Sequence, residues 1–131
     1  MNLTLNNQEY STSGKLDTFT QLHVARKLGP AMPVLEGMVD PDNLSKDKTL
    51  LTVLMLSKIG DSDVEYIMRR CLSVVTRKHI GGFAKIQTAE GNLMFDDISL
   101  HTLLELTVTV IEENLGDFFR TALGGLEAAA K

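Results

Sequence analysis

Apolar positions along the chain fall into helical stripes and short alternating runs, and the stripes dominate. The clearest stripe follows Ser62, with Val64, Ile67, Met68, Cys71, Leu72 and Val75 on one face and Glu65, Arg69, Ser73, Thr76 and Arg77 on the other. Ser62 and Glu65 have capping-box spacing, so their side chains can satisfy backbone N–H groups at the start of this helix. His79-Ile80-Gly81-Gly82 closes it. A second helix starts at Ser99 and runs through Leu100, Leu103, Leu104, Val108 and Ile111, while Leu106 and Val110 widen its apolar surface beyond a single stripe. Such a helix is either sandwiched within the fold or meets a partner.

Weaker patterns fill the remainder. Asp17 or Thr18 can cap a helix over 18–28 with Phe19, Leu22, Val24, Ala25 and Leu28 as its apolar residues, and Gly29-Pro30 breaks it. Met32, Leu35 and Met38 keep helical spacing over 31–39, although Pro33 and Gly37 lower the propensity. After the loop-like stretch 40–48, the apolar run 50–56 reads as a helix, and its periodicity also fits a buried strand. Asn114-Leu115-Gly116 interrupts the helix that began at Ser99, and Asp117 can cap a last one carrying Phe118, Phe119, Ala122 and Leu123. Two hairpins are expected, one over 3–11 around Asn6-Asn7 and one pairing 83–88 with 92–95 around Ala89-Glu90-Gly91. The predicted fold is mainly α, an α-rich α+β single domain of about five helices with one or two small β-hairpins. Residues 1–14 form an N-terminal arm or hairpin, 15–123 the helical domain and 124–131 a flexible tail.

Composition narrows the function. At 131 residues the chain has room for one well-cored domain, and 44% hydrophobic residues are enough to fold it. A net charge of -4 argues against a protein that binds nucleic acid mainly by neutralising phosphates. The single Cys71 can form neither an internal disulfide nor a multi-thiolate zinc site, which suits a reducing cytoplasm. The N-terminal residues lack the pattern of a signal peptide, and no apolar run is long enough to span a bilayer. With no Trp and 5% aromatic residues, few stacking platforms exist for sugars or single-stranded bases.

Candidate chemistry is sparse. His23, His79 and His101 fall in three different elements without the paired spacing of a helical zinc site, so they read as ordinary packing or surface histidines. Asp96-Asp97, Asp40 with Asp42, and Asp61 with Asp63 complete no metal loop. Counting from Asp40, Ser45 and Leu51 stand where a calcium loop needs glycine and glutamate. No enzyme, metal or cofactor is expected. Arg69, Arg70, Arg77, Lys78 and His79 concentrate positive charge around one helix, which keeps a small DNA-binding regulator as a minor alternative.

Three stretches in order, 19–28 followed by Pro30, Leu93-Met94-Phe95-Asp96-Asp97-Ile98, and Asn114-Leu115-Gly116-Asp117-Phe118-Phe119, together resemble the tail assembly chaperones of long-tailed bacteriophages. The Asp61-Ser62-Asp63-Val64 helix start lies between the first two, and the resemblance covers most of 15–123. It implies binding without chemistry: a chaperone in the host bacterial cytoplasm that holds the tape-measure protein, helps recruit tail-tube protein subunits, self-associates, and is absent from the mature virion. A virion structural component, such as a minor tail or head-completion protein, is the alternative. A client that is a long amphipathic helix would need an apolar groove with a polar rim. Leu106, Val110, Phe118, Phe119, Met32 and Met38 are the candidate partner-binding residues, and the chain's own core is the competing use for the first four.

Overall fold

The computed structural model describes residues 2–12, 14–29 and 57–130, the last stretch for its backbone alone from 117 onward. It begins with a hairpin, β1 (Asn2–Leu5) and β2 (Gln8–Ser11), paired antiparallel with Leu5 opposite Gln8. Asn6 and Asn7 both adopt positive φ, 51° and 63°, the handedness that matches strand twist in a two-residue turn and that asparagine tolerates well. The expected first hairpin is therefore present, and it is built into the fold. Tyr10 lies opposite Arg77 of β3 (Thr76–His79) and is 2% exposed. β4 (Gly82–Lys85) completes an antiparallel sheet in the order β1-β2-β3-β4.

Three helices are described: α1 (Thr18–Lys27), α2 (Asp61–Leu72) and α3 (Leu100–Ala130). Asp17 caps α1 by accepting from the Thr20 backbone N–H at 2.9 Å, and this bond holds its carboxyl below the usual range. Lys27 at the end of α1 bonds Asp63 at the start of α2 at 2.9 Å, and His23, one turn earlier, meets Tyr66, so the two helices run antiparallel. Val24 and Leu28 meet Ile67, Cys71, Leu72 and Val75 in one core that also takes Tyr10, Ile86, Leu106 and Ile111.

The fold is thus α+β, with a four-stranded antiparallel sheet and three described helices, which corrects the expectation of a mainly α domain of about five helices with hairpins as decoration. Two local misreadings account for it among the described residues. The stripe beginning at Val64 stays apolar through Val75, but α2 stops at Leu72, because Val74-Val75-Thr76 is a β-branched run whose side chains crowd a helical turn and suit a strand. The chain then turns at Ile80-Gly81, where Gly81 has φ 78°, and pairs 76–79 with 82–85. Of the hairpin expected over 83–95, an isolated bridge between Gln87 and Leu93 and the positive φ of Gly91 are found.

The second misreading is the break at 114–116. α3 runs through it without interruption, about 46 Å at 1.5 Å per residue. Asn114 does not end the helix: its Nδ2 donates to the Val110 carbonyl at 2.9 Å, and its Oδ1 accepts from the Leu16 N–H at 3.0 Å. The start at Ser99 is as expected, with Ser99 Oγ accepting from the Thr102 N–H at 3.2 Å. The helices expected over 31–39 and 50–56 lie outside the described residues.

Candidate partner groove

α2 sets the site. Its first turn carries Asp61 and Asp63, which favour the positive end of the helix dipole. The capping box does not form: Gly60 is the N-cap without a side-chain bond, Ser62 already lies inside the helix, and Glu65 pairs with Arg69 at 2.8 Å. Ile67 and Cys71 are fully buried, so the centre of the apolar stripe belongs to the core. Burial pushes the Cys71 thiol up to about 12, which leaves it protonated and unreactive at neutral pH.

The stripe is wider than the core needs. Val64 and Met68, at its edge, are half-buried and pack only partly against the core. Together with Ile59, Leu72, Leu93 and Leu103 they line an apolar groove of about 310 Å³ whose rim holds Asp61, Glu65 and Arg69. Leu93 is 46% exposed at the groove's outer wall.

That wall is a tight turn clipped to α2. The Thr88 N–H donates to the Asn92 carbonyl at 2.8 Å and the Asn92 N–H to Thr88 Oγ1 at 3.1 Å, while Gly91 has φ 88°. Gln87 Nε2 donates to the Arg69 carbonyl at 2.7 Å, and the Arg69 guanidinium donates to the Gly91 carbonyl. A side chain at position 91 would strain the backbone and bring a Cβ to 2.8 Å from the Arg69 guanidinium. On the far side of the turn a second cleft of about 630 Å³ is lined by Tyr66, Arg69, Arg70, Ser73, Lys85, Met94 and the turn residues.

The chain leading away from the turn is anchored to the sheet. Arg77 forms a bidentate pair with Asp97, at 2.7 and 3.0 Å, and its guanidinium lies 4.5 Å from the centre of the Phe95 ring. Hydrogen bonding to Arg77 holds the Asp97 carboxyl below its usual range, and the same bonds raise Arg77. Burial raises the neighbouring Tyr10 hydroxyl.

The expected site residues land differently. Leu106 and Val110 are both fully buried, so their surplus apolar surface is spent inside the chain. From Thr102 to Ile111 every residue of α3 except Glu105 is buried, which resolves that helix as sandwiched. Phe118 and Phe119 fall on the part of α3 whose side chains are not described, and Met32 and Met38 lie outside the described residues. The groove residues Val64, Met68, Leu93 and Leu103 were not singled out from sequence, although the width of the α2 stripe and the Leu93 motif both pointed towards them.

Folding divides the basic concentration around 69–79, leaving Arg69 and Arg70 on α2. Arg77, Lys78 and His79 belong to β3 and not to the helix. Arg69 pairs with Glu65, Arg77 with Asp97, and Lys78 with Glu9 at 3.7 Å. Among the described residues no group of three or more His, Cys, Asp or Glu side chains is placed to hold a metal ion, and no helix is long and apolar enough to cross a membrane. His23 sits edge-on to Tyr66, His79 edge-on to Phe95, and His101 beside Glu105.

The feature the described residues assemble is an apolar groove with a charged rim, walled by a turn that is clipped to α2. Comparison with protein families gives the assignment: residues 6–127 match the model of the phage tail assembly chaperone protein family, TAC, and the chain belongs to that family. Neither the curated proteins nor the solved structures contain a match to it.

Proposed function

We propose that this chain is a non-enzymatic chaperone that binds the tape-measure protein and helps recruit tail-tube subunits during tail morphogenesis. It works in the host bacterial cytoplasm, self-associates as it coats its client, and is left out of the finished virion. The observation that carries the reading is membership of the tail assembly chaperone family over 6–127, a span that includes the whole groove. The groove adds physical support. A helical client can place successive apolar side chains between Val64, Met68, Leu72 and Leu93, and methionine adapts to irregular shapes at little cost.

Co-expression with the tape-measure protein encoded beside this gene tests the proposal. A soluble complex from an otherwise insoluble partner is the expected result. No rescue and no complex, together with recovery of the chain from purified virions, would make it a structural tail component instead.

A further inference from the structure

We infer that the cleft beside the groove selects for acid: the client segment is an amphipathic helix whose apolar side chains enter the groove and whose carboxylates meet Arg70 and Lys85. The inference rests on the chaperone reading and specifies the chemistry of what is bound.

The groove and the cleft share Arg69, Gln87 and Gly91, so they lie on either side of one ridge, where the 87–91 turn crosses α2. The ridge cation is already engaged, since Arg69 bonds both Glu65 and the Gly91 carbonyl. Arg70 and Lys85 are placed differently. Both are exposed, and among the described residues no carboxylate forms a contact ion pair with either, although Arg70 acts on the Asp17 carboxyl from a distance. Arg70 stands 5.4 Å from the centre of the Tyr66 ring, which lines the cleft, while Lys27, 4.8 Å from the same ring, is paired with Asp63.

Glu90 is the one carboxylate lining the cleft among the described residues, against three cations. The chain as a whole carries a net charge of -4, so the cleft reverses the sign of the protein around it. A neutral amphipathic helix would fill the groove and leave Arg70 and Lys85 without a carboxylate in contact. A basic one would be repelled. A helix whose Asp or Glu residues flank its apolar stripe presents both chemistries on adjoining faces, matching the groove and cleft that adjoin across the ridge.

The test is to co-express the tape-measure protein with the wild type, with the double variant Arg70→Glu/Lys85→Glu and with the charge-keeping variant Arg70→Lys/Lys85→Arg, and to quantify the purified complex. Circular dichroism checks each fold. The acidic variant should lose about tenfold in complex and the charge-keeping one should retain most of it, because a like charge facing the client both slows encounter and destabilises contact. The wild-type complex should also weaken as salt is raised from about 0.05 to about 0.5 M, a readout that needs no variant to fold. Equal binding by the acidic variant together with a salt-insensitive wild-type complex would overturn the inference and leave the chaperone reading standing. No complex with the wild type would remove both. Salt-dependent binding of the wild type to duplex DNA, lost in the acidic variant while the client complex is unchanged, would assign the cleft to nucleic acid and overturn it too.

Discussion

α2 and α3 both display more apolar surface than one stripe requires, and they spend it in opposite ways. α3 buries its excess on all sides, so that Leu106, Val108 and Val110 are enclosed together with Thr107 and Thr109. Those threonines stay satisfied by returning their hydroxyls to the Leu103 and Glu105 carbonyls at 2.8 Å, which lets polar side chains sit in a closed environment. α2 buries the centre of its stripe and leaves its margin, Val64 and Met68, half-covered beside a turn. A wide apolar face therefore does not by itself mark an interface. What distinguishes α2 is a margin that a single side-chain wall, Leu93, only partly closes.

The largest effect should come from charging α3. Leu106→Asp puts a carboxylate at a position with 0% exposure and should cost about 4 kcal/mol or more, enough to unfold a marginal domain and abolish its helical circular-dichroism signal. Leu106→Ala should cost about 2–5 kcal/mol by leaving a cavity. A folded Leu106→Asp protein that had merely lost a partner would show that α3 is the interface and reverse the comparison.

Asn114→Ala is the next test, with an effect of about 1–2 kcal/mol, because it leaves the Leu16 N–H without its acceptor. The helical signal should not rise. If Asn114 instead ended a helix, as its Asn-Leu-Gly context suggests, alanine would extend that helix and the signal would increase.

Acid sharpens the comparison from the other side. The segment that follows the groove wall is pinned by Asp97, whose carboxyl is held low by Arg77. A depressed folded-state value means that this stabilisation is complete above the unfolded value of 3.8 and is lost as pH falls through the folded one. Stability below about pH 4 should therefore fall more steeply in the wild type than in Asp97→Asn, as read by thermal melts over a pH series. Client binding should fail in acid before the α3 helicity does.

The sequence was most legible where one local rule decided the outcome. Asn6-Asn7 made a hairpin because both residues accept positive φ, Asp17 and Ser99 capped helices, and Gly91 took the positive φ of a turn. It failed where tertiary contacts outvoted local ones. Periodicity alone carried α2 past Leu72, although a β-branched run and a sheet edge offered by β2 drew 76–79 into a strand. Asn114 read as a breaker because its use, an acceptor for Leu16 from far along the chain, is invisible locally. The groove was half legible: the stripe width was readable, but which helix kept its margin open depended on what packed against each.

The smallest effect on stability should accompany the most specific effect on function. Leu93→Ser removes an apolar side chain that is 46% exposed and belongs to no helix or strand, so the change in stability should stay within about 0.5 kcal/mol. The Gln87 and Arg69 bonds that clip the turn to α2 do not involve the Leu93 side chain, and the wall should keep its place. What is lost is one apolar side of the groove. Under the proposed function, complex yield with the tape-measure protein should drop while the melting curve stays where it was. Unchanged binding would show that the margin of α2 is merely uncovered, and the difference between the two helices would then be one of packing alone.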